Sequence, residues 1–330
     1  MIRGQRLCPD GKLFLMRMCF VFAALLGEAA SSWAKGVPMR LQTSSGTLSG
    51  TLELPANPRA RVPVALLLSG SGPTDRDGDA GSIGGASLRL LAEGLAKQGI
   101  ASLRFDKRGV GESASAAPSE SDLRFETYIA DATSWGQKLK RDRRFGTLTV
   151  VGHSEGALIG AVAAQRLKAD SYVSLEGAGR PAAEVLRAQL RPALPAPLWA
   201  QSQRILAALE RGKTDAQVPA PLAALFRPSV QPYLISWFRF DPAREIKALR
   251  IPVLLVQGTT DLQVGLEDAR RLQSANSKAQ LLEISGMNHV LKQAGGNLAA
   301  QMKAYSDPSL PLSPRLVESL SRFILTNGRS

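Results

Sequence analysis

The segment Gly152-His153-Ser154-Glu155-Gly156 sets one serine between two glycines, after the apolar run Leu148-Thr149-Val150-Val151 and before the helical stretch Ala157–Leu167. A serine on a tight strand-to-helix turn sits in a strained backbone, and the flanking chain must pass close by without side chains. The turn lifts the Ser154 hydroxyl clear of the sheet and sets it at a helix N-terminus, which favours developing negative charge. Gly-x-Ser-x-Gly alone is weakly specific in a chain with 30 glycines. Its place between a strand signal and a helix signal gives it weight.

A serine hydroxyl attacks a carbonyl only when a neighbouring base takes its proton. The chain holds 2 histidines. His153 adjoins Ser154, where its ring is expected to point away, so His289 is the candidate base. A lone histidine is more often structural than catalytic. This one lies in Gly286-Met287-Asn288-His289, after the last predicted core strand and before the closing helix, and that place reverses the weighting.

An imidazole base needs a carboxylate to fix its tautomer. Asp261 follows the run Val253-Leu254-Leu255-Val256 and lies beyond its carboxyl end. Taken alone it reads as a loop or capping aspartate. Glu283 competes poorly because it falls within a strand. For the oxyanion of an acyl transfer, Ser69-Gly70-Ser71-Gly72-Pro73 closes another apolar strand, and the backbone amides of Ser71 and Glu155 are the candidate donors. A glycine-rich turn without function is the bland alternative; a phosphate cradle is disfavoured by the spacing.

The elements needed to hold these residues are legible. Strand signals fall at 39–43, 47–54, 62–68, 100–105, 148–151, 172–175, 252–256 and 280–284. Helical periodicity falls at 88–97, 128–139, 156–167, 266–272 and 314–325. Strand alternating with helix predicts an α/β fold with a mainly parallel sheet covered on both faces. Residues 180–250 break the alternation: they are rich in Ala, Leu and Pro and carry helical periodicity without a buried-strand run. The expected organisation is a core over 35–179 and 251–330 with a helical cap or lid over 180–250. Such an insertion can sit over the carboxyl ends of the strands, where open α/β sheets bind ligands.

The composition, 44% hydrophobic and 21% charged, excludes collagen, a long coiled coil and a disordered chain. The net charge is +13; residues 1–34 hold four basic and two acidic side chains, leaving +11 beyond them. Its densest run, Lys138 to Arg144, lacks interleaved aromatics or a helix-turn-helix pattern. It reads as a solvated helix end, and no nucleic-acid partner is expected. Cys8 and Cys19 offer neither metal spacing nor a disulfide framework, and two histidines rule out a Cys/His zinc site.

Residues 1–34 read as a signal peptide. Arg17 precedes a short apolar stretch, and Ser32-Trp33-Ala34 sets small side chains where a signal peptidase reads. A buried N-terminal helix is the alternative. The apolar run is too short to span a bilayer comfortably, so no membrane anchor is expected after cleavage. The expected destination is the periplasm or the exterior. The long lead-in leaves Met16 or Met18 as an alternative start.

With Ser154, Asp261 and His289 in that chain order, the sequence resembles the α/β-hydrolase superfamily over most of residues 45–325. More narrowly, Ser69–Gly78, Arg104–Ser113, Gly152–Gly156 and Arg227–Pro242 are similar to bacterial serine hydrolases of the serine aminopeptidase-like or dienelactone hydrolase-like group, whose characterised relatives are carboxylesterases. The resemblance implies an eight-stranded sheet, a triad of Ser154, Asp261 and His289, a helical lid, and neither metal nor organic cofactor. It implies a small ester as substrate, with Trp237 and Phe238 lining the pocket or forming the lid's own core. Ser69-Gly70 replaces the usual His-Gly before the oxyanion residue. Asp75, Arg76 and Asp77 are either structural ion pairs or substrate contacts, and Asp106, Lys107 and Arg108 hold the strand-end loop. Peptidase and thioesterase activities share this fold and triad, and a non-catalytic binding protein is the rival of another class. Nothing in the sequence sets the oligomeric state.

Overall fold

Eight apolar or alternating runs form one sheet: β1 (Val37–Thr43), β2 (Gly46–Glu53), β3 (Val62–Leu68), β4 (Ala101–Phe105), β5 (Phe145–His153), β6 (Ser171–Leu175), β7 (Val253–Gly258) and β8 (Gln280–Ile284). Their order is β1-β2-β4-β3-β5-β6-β7-β8. β2 runs antiparallel to both β1 and β4, and every other pair is parallel. This computed structural model describes residues 36–328 apart from 57, 59, 60, 82, 83, 118 and 296. The signal peptide expected over 1–34 lies outside the described residues.

The helices are α1 (Ser87–Lys97), α2 (Phe125–Arg141), α3 (Glu155–Leu167), α4 (Ala182–Ala193), α5 (Ala196–Glu210), α6 (Ala223–Phe226), α7 (Gln231–Trp237), α8 (Pro242–Ala248), α9 (Leu266–Ala275), α10 (Leu298–Ser306) and α11 (Pro314–Asn327). The continuous apolar run of β3 is explained by burial on both faces. Val64, Leu66 and Leu68 join Phe125, Ile129 and Trp135 of α2 in one core. Ala65 and Leu67 point the other way, into a second core with Leu91 and Leu95 of α1 and Leu316 and Leu320 of α11. The strand's period of two thus divides one run between two layers.

Five helices, α4 to α8, fill the stretch between β6 and β7. α10 carries no clear sequence signal, for a physical reason. Its large apolar residues Leu298 and Met302 face solvent, whereas Gln301 and Ala304 are buried. The basic run closing α2 is partly engaged: Lys140 Nζ donates to the carbonyls of Leu167 (3.0 Å) and Lys168 (2.9 Å) at the end of α3, and Arg144 pairs with Asp142.

Candidate active site

Ser154 stands between β5 and α3 with φ 54° and ψ −120°, a conformation that a non-glycine residue keeps only when its surroundings enforce it. Its amide donates to the Leu175 carbonyl at 2.9 Å. A Cβ on Gly152 would run into the Gly156 carbonyl, and one on Gly156 would lie 2.6 Å from the carbonyls of Leu68 and Ser69. The two glycines are what let the turn close.

His289, in the loop after β8, places Nε2 3.1 Å from Ser154 Oγ. Its Nδ1 lies 2.7 Å from Asp261 Oδ2, so with the proton on Nδ1 the other nitrogen is free to accept from serine. Asp261 Oδ1 accepts from the amides of Gln263 (2.7 Å) and Val264 (3.0 Å). Burial opposes the Asp261 charge, but the His289 charge and hydrogen bond win and hold its pKa down at about 2. The two loops are tied together: the amide and hydroxyl of Thr260 both donate to the Met287 carbonyl, at 3.1 and 2.9 Å. Gly258 permits that approach, since a Cβ there would meet the same carbonyl.

The amides of Ser71 and Glu155 have no hydrogen-bond acceptor among the described residues. Ser71 and Glu155 line a cavity together with Ser154. The loop bearing Ser71 is pinned by ion pairs. Arg76 makes a two-pronged contact with Asp106 (3.0 and 2.6 Å), and Asp77 accepts from Arg104 at 2.9 Å. Arg76 and Asp77 are thus in internal pairs, whereas Asp75 Oδ1 accepts the amides of Asp77 (2.8 Å) and Asp79 (3.0 Å) within the loop. Arg108 grips buried Asp131 with Nε and Nη2, both at 2.6 Å.

Lys107 does more than steady its own loop. Its ammonium pairs with Glu155 Oε2 at 2.7 Å, donates to the Gly70 carbonyl and lies 3.4 Å from that of Gly72. Glu155 Oε1 accepts from the Tyr233 hydroxyl of α7. One buried cation therefore joins the loop of one amide to the residue bearing the other, and α7 attaches to the same carboxylate. This network is absent from the sequence reading; its signal was a charged residue directly after Ser154 in a run otherwise apolar or small.

His153 does not idle. Its Nε2 lies 2.7 Å from the His289 carbonyl and the two rings are 5.0 Å apart, so it braces the His289 loop against the Ser154 turn. Burial first, and neighbouring His289 second, lower its pKa to about 4, so the ring is neutral at ordinary pH and donates. The cavity above Ser154 has a volume of about 570 Å³. Its core side includes Ser71, Pro73 and Leu158, and its far side Val185, Leu186, Leu234 and Trp237 from the helices between β6 and β7. Trp237 lines it and stacks on Phe125 with centroids 5.8 Å apart. Phe238, directly after α7, does not line it; it is partly buried and packs against the larger core. The acidic residues lining it, Glu120 and Glu155, are paired with Arg227 and Lys107. Among the described residues no group of three or more His, Cys, Asp or Glu could hold a metal ion.

Residues 65–295 match the model of the alpha/beta hydrolase family. The chain is 30% identical over 252 residues to the esterase EstD of Thermotoga maritima, covering 76% of this chain and 59% of that protein. It thus spans under two thirds of that esterase's length. Among solved structures, Est1E of Butyrivibrio proteoclasticus with ferulic acid bound superposes with a TM-score of 0.59 at 17% identity, over 88% of this chain and 98% of that one. The Pyrococcus furiosus esterase Pf2001 gives 0.56 at 17% identity, over 90% and 92%. At such identities the two structures speak for the fold.

Proposed function

Because the chain belongs to the alpha/beta hydrolase family, we propose that it is an exported serine hydrolase cleaving carboxylic esters of small to medium acyl groups. The observation that carries this is the line from Asp261 through His289 to Ser154, ending at an apolar-walled cavity. Ser154 Oγ attacks the ester carbonyl while His289 Nε2 takes its proton. The amides of Ser71 and Glu155 hold the oxyanion, and Asp261 stabilises the imidazolium. The proton then passes from Nε2 to the departing alkoxide, which leaves as the alcohol. Water, deprotonated by the same nitrogen, attacks the acyl-serine; the acid departs and Ser154 regains its proton.

The resemblance to EstD supports an ester as substrate. A peptidase acting at a free N-terminus would need an unspent carboxylate to hold the ammonium, and both acidic residues of the cavity already face a cation. The helices between β6 and β7 act as the lid, with α7 closing one wall. Export follows from residues 1–34, and the cleaved protein would begin at Lys35. Hydrolysis of 4-nitrophenyl esters of graded chain length, beside Ser154→Ala, tests the activity: turnover with a medium-chain optimum, lost in the variant, is expected. Turnover surviving Ser154→Ala would refute it. N-terminal sequencing of the protein recovered from the periplasm or medium tests the export.

A further inference from the structure

Directly beyond β6, Glu176 is wholly buried and holds a left-handed φ of 50°. Its Oε1 accepts from the Gly258 amide at 2.8 Å, and its Oε2 from the side-chain amide of Gln257. The same Gln257 nitrogen lies 3.4 Å from Asp261 Oδ2, so two carboxyl groups converge on one amide. The shared Gln257 amide thus sets the Glu176 and Asp261 carboxyl groups side by side. No ion pair reaches Glu176 among the described residues. Arg180, the next cation along the chain, is held by Asp268 at 2.7 Å. The titratable groups on this side are Asp261, His289 beyond it, and Tyr305 of α10, whose hydroxyl accepts from Gln263 at 2.7 Å.

We propose that Glu176 carries a proton in the folded enzyme and donates it in a hydrogen bond to Asp261, so that a neutral carboxyl positions the aspartate from behind. Two carboxylates in one dry site do not both ionise. Asp261 faces His289 and accepts two backbone amides, so it keeps the charge. Glu176 faces no cation among the described residues, and a hydrogen bond between two carboxyl oxygens requires one proton. Burial first, and the Asp261 charge second, push its pKa well above the ordinary carboxyl range. With His289 Nδ1 donating from one side and Glu176 from the other, Asp261 has both its place and its charge fixed. Glu176 is thus a positioning residue, and the inference rests on the Ser154–His289–Asp261 mechanism proposed above.

The proton is observable without turnover. Infrared spectra of the intact protein at neutral pH should contain a protonated-carboxyl C=O band that vanishes in Glu176→Gln and persists in Ser154→Ala. Its absence from the wild type would overturn the proposal. In kinetics, Glu176→Leu should lose about tenfold in kcat with little change in KM, the factor expected for one lost hydrogen bond to a charged group. Glu176→Gln, neutral and of the same shape, should recover most of that loss and leave the acid limb of kcat/KM in place. A limb displaced downward by about one unit in Glu176→Gln would mean that a charge had been removed, and would also overturn it. A persistent band beside turnover that survives Ser154→Ala would tell against the ester mechanism alone and leave the shared proton standing.

Discussion

Replacing Lys107 by Met isolates what joins the two proposed oxyanion donors. Lys107 and Glu155 have side chains only 6% and 2% exposed, so the ammonium's loss strands a carboxylate whose sole remaining side-chain partner among the described residues is the Tyr233 hydroxyl. Breaking a buried pair from one side costs about 3–5 kcal/mol. In a protein of this size that lowers Tm by about 5–15 °C. The variant also loses the bonds to the carbonyls of Gly70 and Gly72, which hold the Ser71 loop against the serine turn. A donor displaced by about 1 Å, or removed, costs about 100-fold in kcat. Thermal unfolding and 4-nitrophenyl ester turnover read the two effects separately. In Lys107→Met/Glu155→Gln the stranded charge is gone, so Tm should largely recover while kcat stays low. Full kcat in Lys107→Met at a temperature where it is folded would refute the tether, and an unchanged Tm would refute the buried pair.

His153 should govern stability in mild acid. Its folded pKa of about 4 lies below the ordinary 6.5, so the unfolded chain binds the proton first as pH falls. Stability should decline from pH 6.5 towards 4 by up to about 3 kcal/mol, and denaturant titrations of His153→Phe should show a flatter slope; an equal slope would contradict the assignment. Gly152→Ala drives a Cβ into the Gly156 carbonyl and should cost about 3 kcal/mol or more and abolish turnover, whereas Gly146→Ala, whose Cβ meets nothing closer than 3.9 Å, should do neither. Trp237→Ala enlarges the cavity on its α7 side, so the chain-length optimum should move to longer acyl groups; an unmoved optimum would place the acyl chain elsewhere.

The sheet was legible because each strand is a run that burial on one or both faces demands, and β3 shows both at once. Ser154, Asp261 and His289 were legible because each lies at the carboxyl end of such a run, and because histidine is scarce. The structure brings those three into hydrogen-bonding contact. What stayed hidden depends on long-range partners. Lys107 meets Glu155 48 residues away, and Glu176 meets Gln257 81 residues away; a charged residue beside a buried run announces a cost but not the group that offsets it. His153 was hidden because adjacency to Ser154 says nothing of the loop across the turn. α10 escaped because its apolar residues face outward. Phe238 was grouped with Trp237 because they are neighbours in sequence, yet at the end of α7 only Trp237 lines the cavity.

The central claim is that Ser154 is a nucleophile activated by His289. Treatment of the folded protein with a fluorophosphonate, followed by peptide mass analysis, tests it most directly. A single adduct on Ser154, absent in Ser154→Ala and strongly slowed in His289→Ala, is the predicted result. A folded protein that takes up no label, or takes it up equally fast without His289, would contradict it.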